Sequence, residues 1–317
     1  MGSKFRIVLR SLITFVLIAV SSTNIAAQEK PLIRFGVLPA LQALPFFVAE
    51  SKGLFSKNGL NVDLILFNTA GEKDVALASG SLDGCFADLV TPLVLKANGR
   101  DIVVVAKNYD TRYDRRMFGI MVKPGSAINE LKGLAGASVA ISSNSVIDLV
   151  NDKLQMQAGI TKDNINTIEF KNIGLRFQAL LTGRLDAAVL PEPLVSVAIS
   201  KGAKLLADDS GLGESQTVLV FSQEFIKKNP ELVKVFLKVI SDANTLINSN
   251  PDSVRDIMVE KVRLPEALKM KYPVPKFPKL APPDRDCLEN IGAWLNQKGV
   301  IHTGIKYEQV VNGEFLP

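Results

Sequence analysis

Hydrophobic positions recur along the chain with two periods, one that suits strands and one that suits helices. Ile33-Arg34-Phe35-Gly36-Val37-Leu38 reads as a first strand, followed by a loop from Pro39 to Pro45 and a short helix running to Gly53. Asn61 to Phe67 alternates as a second strand, and Glu72 to Ser79 predicts a helix stopped by Gly80. Gly84 to Ala87 opens a third strand and Asp101 to Lys107 a fourth. Apolar runs such as Val103-Val104-Val105 suit a parallel sheet covered on both faces, and the alternation of strands with helices implies α/β layering. Val139-Ala140-Ile141 continues the series as a strand. It leads through the polar turn Ser142-Ser143-Asn144-Ser145 into a helix whose apolar face carries Val146, Leu149, Val150 and Leu154, ending at Gly159. Ser145 and Asp148 have the spacing of a capping box.

Beyond Gly202 the pattern changes. Thr217 to Phe221 predicts a strand that could pair with Phe118 to Val122, and the two would bracket a second domain as a hinge. A long helix is expected from Pro230 to Asn248, with Pro251 and Pro265 at further helix starts. Tyr272 to Pro283 is rich in proline and should run extended over the surface, before a last helical stretch, Ile291 to Gly299, with the only tryptophan, Trp294.

One pattern occurs twice. Ser79-Gly80-Ser81-Leu82-Asp83-Gly84 leads into Cys85-Phe86-Ala87 and the acid Asp88; Thr182-Gly183-Arg184-Leu185-Asp186-Ala187 leads into Ala188-Val189-Leu190 and then the acid Glu192. Each copy has a strand upstream, Val62 to Phe67 and Ile165 to Phe170. This is the pattern of one βαβ unit used in each of two similar domains, in keeping with a length of 317 residues, since chains above about 250 residues tend to split into two cores. Parallel α/β sheets hold ligands beyond the carboxyl ends of their strands, so two such domains face to face would bring Asp88 and Glu192 to one cleft. Glu192, between two prolines, could instead hold a turn or a contact between lobes. The helix start at Ser143, Asn144 and Ser145 offers free N–H groups to a polar or anionic group.

Lys4, Arg6 and Arg10 precede an apolar stretch from Ser11 to Val20 and the small pair Ala26-Ala27, the layout of a secretory signal over residues 1–27. Its removal takes three basic side chains from a chain with 37 basic and 32 acidic residues, leaving too weak a field for nucleic acid. The mature product is expected to be soluble in the periplasm, beginning near Gln28, and monomeric. Cys85 and Cys287 could form a bridge in an exported chain, but Cys85 in an apolar strand also reads as a buried thiol.

The order of these segments resembles a known family. Ile-Arg-Phe-Gly-Val-Leu-Pro, Phe-Phe-Val-Ala-Glu-Ser-Lys-Gly-Leu-Phe, Ser-Gly-Ser-Leu-Asp, Thr-Gly-Arg-Leu-Asp-Ala-Ala, Pro-Glu-Pro and Trp-Leu-Asn-Gln-Lys-Gly-Val-Ile follow one another as in bacterial ABC-importer solute-binding proteins. The branch resembled is the nitrate, sulfonate, taurine and thiamine-precursor group, called SsuA/THI5-like or NMT1. The resemblance implies a two-lobed type II periplasmic-binding fold, two doubly wound sheets joined by two hinge strands, with residues 28–118 and 220–317 in one lobe and 119–219 in the other. It implies a small polar organic solute or anion captured between the lobes and delivered to an ABC permease in the inner membrane, and no cofactor. Family contacts carry over to Leu41, Gln42, Ala43, Asp88, Ser143, Asn144, Ser145 and Glu192, with Tyr109, Asn172 and Ile173 as weaker matches. The two acids favour a solute with an amine, an amidine-like edge or hydroxyl donors, and a zwitterion would satisfy both ends of the cleft.

Two other functions remain open on the sequence: a binding protein that signals to a membrane receptor, and a thiamine-pyrimidine synthase like the yeast branch. The synthase reading is the weaker, because that branch consumes an active-site histidine and has a cysteine-rich motif absent here. The one histidine, His302, lies in an expected surface segment near the end. No HExxH, GxSxG, CxxC or GxxxxGK pattern occurs.

Overall fold

The computed structural model describes residues 31–112, 115–160 and 164–317, so the expected leader, residues 1–27, lies outside the described residues. The strands in chain order are β1 (Leu32–Val37), β2 (Asn61–Leu66), β3 (Gly84–Asp88), β4 (Ile102–Asp110), β5 (Phe118–Val122), β6 (Ser138–Ile141), β7 (Asn166–Glu169), β8 (Ala187–Pro191), β9 (Lys204–Asp208) and β10 (Gln216–Ser222). They form two five-stranded mixed sheets, ordered β2-β1-β3-β10-β4 and β7-β6-β8-β5-β9. The two orders share one topology. In the first, β1 lies parallel to β2 and β3 with β10 antiparallel beside β3; in the second, β6 lies parallel to β7 and β8 with β5 antiparallel beside β8. This is the two-lobed α/β fold expected from the repeated pattern.

The repeat has a physical basis at its Leu-Asp pair. Asp83 accepts the backbone N–H of Arg34 at 2.8 Å and pairs with its guanidinium at 2.7 Å, pinning the βαβ return to β1. Asp186 does the same in the second sheet, accepting from the Ser138 hydroxyl at 3.0 Å and from Lys123 at 2.8 Å. Gly84 follows Asp83 because a Cβ there would stand 2.7 Å from the Phe221 ring and 2.8 Å from the Val220 carbonyl of β10.

The inserted strands depart from the sequence expectation. Thr217 to Phe221 does not pair with Phe118 to Val122: β10 runs between β3 and β4, and β5 between β8 and β9. Each strand thus completes the sheet it enters, and the chain crosses between the sheets after β4 and again before β10. Asp209 ties one crossing to the other, its Oδ1 accepting from the N–H groups of Met117 at 2.8 Å and Phe118 at 3.0 Å.

Burial pushes the Asp209 carboxyl up to about 6, against those N–H donors. A raised folded-state value contributes stability that is complete below the ordinary carboxylate range and is lost as pH rises through about 6. Asp209→Asn keeps one acceptor without the buried charge. It is therefore expected to gain on the parent protein between about pH 4 and 7, by up to about 3 kcal/mol. Urea melts at a series of pH values read this; a stability difference constant over that range would contradict it.

Helices cover both sheets. In the first lobe they are α1 (Leu44–Ser51), α2 (Leu54–Lys57), α3 (Ala70–Ala78) and α4 (Val90–Ala97), and in the second α5 (Val146–Gln157), α6 (Ile173–Leu181) and α7 (Leu194–Ser200). The chain then returns to the first lobe through α8 (Gln223–Lys228), α9 (Pro230–Ser249), α10 (Arg255–Lys261) and α11 (Arg285–Gln297). The ring of Phe236 on α9 is central to the largest core, 4.7 Å from Phe35, 5.4 Å from Phe55 and 5.5 Å from Phe221 between centroids.

Candidate ligand-binding site between the sheets

A cavity of about 150 Å³ lies where the parallel strands of both sheets end at their carboxyl termini. Leu38 after β1, Asn68 after β2 and Asp88 at the end of β3 reach it from one lobe; Ser142 after β6, Lys171 after β7 and Pro191 at the end of β8 reach it from the other. A space of this volume holds a molecule about the size of benzene. Phe86, Phe118, Val146, Ile147, Ile173 and Leu194 make its walls largely apolar.

The polar groups on its wall are placed by local structure. Asp88 accepts the N–H groups of Val90 at 2.8 Å and Thr91 at 3.0 Å through Oδ1, so the carboxylate is held at the start of α4. Burial raises its pKa against the pull of those two donors. Lys73 of α3 also lines the cavity, fully buried, paired with Asp74 and 3.5 Å from the Cys85 sulfur. Gln42 is 4% exposed, and its Nε2 finds no hydrogen-bond partner among the described residues; the same holds for the Thr217 hydroxyl on β10. Buried polar atoms are ordinarily satisfied, so these two, both on the cavity wall, suit a hydrogen-bonding occupant.

From the second lobe, Ser145 caps α5, its Oγ accepting from Ile147 N–H at 3.2 Å and donating to the Ser142 carbonyl at 2.7 Å. The expected capping box is displaced by one residue: Asp148 accepts from the N–H of Asn144, not of Ser145, because Asn144 is left-handed with φ 59°. Asn172 caps α6 by accepting from Leu175 N–H at 3.0 Å.

Of the residues singled out from sequence, Gln42, Asp88, Ser145, Asn172 and Ile173 meet at this cavity. The others do not line it. Leu41 and Ala43 point into the first-lobe core, and Tyr109 is buried edge-on to Phe277, its hydroxyl reaching the Arg115 carbonyl at 3.3 Å. Ser143 turns its N–H and hydroxyl to Glu169. Asn144, like Ser143, borders a separate depression beside Asp148 and Lys298. Glu192 is 1% exposed and turned away from the cavity: it accepts from Arg116 Nε at 2.9 Å, the Ser196 hydroxyl at 3.0 Å and the Tyr272 hydroxyl at 3.1 Å. Tyr272 belongs to the returning chain, so Glu192 makes the contact between lobes that its flanking prolines had also allowed. Lys73, Lys171, Thr217, Val262 and Arg263 line the cavity without having been singled out. Of these, Arg263 carries a signal only the backbone reveals, a left-handed φ of 63°.

Cys85 and Cys287 are unbridged and buried, both in the same apolar cluster. Burial pushes their thiols up to about 11 and about 12, far from the thiolate form a nucleophile needs. No helix of the described residues is long and apolar enough to cross a membrane.

Two similar α/β lobes enclosing a cavity at their strand ends define the periplasmic-binding-protein architecture. The chain belongs to the NMT1/THI5-like family, whose model matches residues 40–254. It is 25% identical over 230 residues to the Saccharomyces cerevisiae 4-amino-5-hydroxymethyl-2-methylpyrimidine phosphate synthase THI13; the match covers 67% of this chain and 65% of that protein's length. It is 24% identical over 227 residues to a Brucella abortus protein named only as a binding protein, covering 69% of this chain and 68% of the relative. Among solved structures it has the fold of the alkanesulfonate-binding protein SsuA from Xanthomonas axonopodis pv. citri bound to MOPS. There the TM-score is 0.77 and the identity 18%, over 89% of this chain and 99% of the other. Of the cavity wall, Leu38, Pro39, Val262 and Arg263 lie outside the residues that the family model matches.

Proposed function

We propose that this protein is the solute-binding component of an ABC importer, exported to the periplasm, which takes a small organic solute between its lobes and delivers it to a membrane permease. The observation that carries the reading is the cavity itself. It is built from both lobes, has largely apolar walls, and holds two buried hydrogen-bonding atoms, Gln42 Nε2 and Thr217 Oγ1, that have no partner among the described residues. A solute touching both lobes shifts the equilibrium between open and closed forms by what it gains from the second lobe. The kinship with SsuA in fold and with a Brucella binding protein in sequence supports the same role.

The yeast relatives bear the name of a synthase, and an enzyme is the competing reading. It asks for a nucleophile or an uncommitted acid–base group at the cavity; Asp88 there is held by two backbone N–H groups and Lys73 is paired with Asp74. The buried thiols are poorly suited, and His302 is exposed, in the segment after α11 and away from the cavity wall. Binding without turnover is therefore expected. Small-angle scattering should give a smaller radius of gyration with a saturating solute, and chromatography should return that solute unchanged. An unaltered radius, or a released product, would count against the importer reading.

A further inference from the structure

A buried charge stands behind the second-lobe wall of the cavity. Arg176 of α6 is completely buried. Its Nη1 donates to the Ser142 hydroxyl at 3.3 Å and to the Phe170 carbonyl at 3.1 Å, while Nε and Nη2 have no partner among the described residues. A guanidinium carries five N–H donors and is rarely buried without a carboxylate or phosphate to match them. The acid nearest in influence, Glu169, is engaged by the N–H and hydroxyl of Ser143 and forms no ion pair with Arg176. Burial pushes the guanidinium down only to about 10, so it stays charged at neutral pH.

The direction of the Ser142 contact matters. Arg176 can only donate, so the Ser142 oxygen accepts, and the hydroxyl proton is left to point elsewhere. Ser142 lines the cavity, and no other acceptor takes that proton among the described residues. On the same wall stand the capped starts of α5 and α6, at Ser145 and Asn172, and Lys171, which has no ion pair among the described residues. The facing wall holds Asp88, whose Oδ1 is already committed to two backbone N–H groups.

We infer that Arg176 is a specificity-determining positioning residue: acting through the Ser142 hydroxyl, it makes the second-lobe wall a seat for an anionic group of the solute, a carboxylate, sulfonate or phosphate. The inference rests on the reading of this cavity as the solute site. The guanidinium does not touch the solute. It orients a donor toward it and supplies the uncompensated positive charge that a neutral solute would leave unanswered.

The test uses the full mature chain with two sets of small probes. The anions are acetate, methanesulfonate and inorganic sulfate; the uncharged set is acetamide, methanesulfonamide and 4-aminopyrimidine. Thermal shift ranks the probes and calorimetry measures the best of each set. The parent protein should prefer an anion to its uncharged counterpart by tenfold or more. Arg176→Met and Ser142→Ala should each remove most of that preference, and Arg176→Lys should restore part of it. Ser142→Ala keeps the test valid if Arg176→Met does not fold. A merely structural arginine would lower the melting point of the empty Arg176→Met protein and leave the preference of Ser142→Ala unchanged; that result overturns the inference. Binding of uncharged probes alone overturns it too, while leaving the solute-binding role intact. Failure of every probe would count against both.

Discussion

Glu192→Ala is expected to destabilise the empty protein by about 3 kcal/mol, with a correspondingly lower melting temperature. The carboxylate is the common acceptor for Arg116, the Ser196 hydroxyl and N–H, and the Tyr272 hydroxyl, and it is almost fully buried. Removing one member of a buried charge pair costs roughly 3–5 kcal/mol because the partner is left unmatched. The lower figure applies because Arg116 is a quarter exposed and keeps its ion pair with Asp208 at 3.5 Å. Tyr272 shares the loss: its hydroxyl, held well above the usual tyrosine range by burial and by Glu192, would have one acceptor fewer. Since the Glu192–Tyr272 bond joins the lobes, a variant that still folds should also open more readily, seen as a larger radius of gyration without solute. Unchanged stability alongside lost solute binding would instead put Glu192 in the binding site.

Asp88→Asn is the converse case. The variant keeps an acceptor at the Oδ1 position for the N–H groups of Val90 and Thr91, so the start of α4 survives and the melting point of the empty protein should move little. A solute donor facing the carboxylate loses a charge-assisted hydrogen bond of roughly 1.5–3 kcal/mol. At about 1.4 kcal/mol per tenfold, affinity should fall about ten- to a hundredfold by calorimetry. A lower melting point with intact affinity would confine Asp88 to a structural role. Measured side by side, the two variants separate the acid that holds the lobes together from the acid that faces the solute.

Much of this was legible in the sequence, for local reasons. The strands, the repeated βαβ unit and the helix cap at Ser145 follow from short-range periodicity and side-chain hydrogen bonding. Asp88 was legible because a parallel strand must end at the ligand edge of its sheet. The pairing of β10 was not, since Thr217-Val218-Leu219-Val220-Phe221 is apolar on both faces and would suit any central slot. What selects the slot between β3 and β4 is the absence of a side chain at Gly84 and the packing of Phe221 with Phe35 and Phe236, contacts between residues far apart in the chain. Glu192 was misleading for the same reason: the partners that draw it inward, Arg116 and Tyr272, lie in segments whose meeting only the tertiary fold decides. Arg176 gave no signal at all, because a charged residue between Leu175 and Phe177 reads as the wet face of a helix. The wet position is in fact Leu175, which is largely exposed, while the arginine faces inward.

The placement of β10 also bears on the order in which the protein can be assembled. Residues 118–208 contain every strand of the second sheet in one continuous stretch, so that sheet can close as soon as its own chain has emerged. The first sheet has no such independence. β3 and β4 are not paired to each other, and the strand that joins them arrives only after the second sheet has been threaded through. Loop-closure entropy must be met before such distant pairing is rewarded. Until residue 222 emerges, β4 has no neighbouring strand in its sheet and the seat of Phe221 beside Phe35 stands open; that of Phe236 stays open until α9 follows. A chain emerging amino end first would thus close its second sheet while β4, made earlier, still waits for its place in the first. In that interval the half-built first sheet is the part of the molecule most in need of shielding from aggregation.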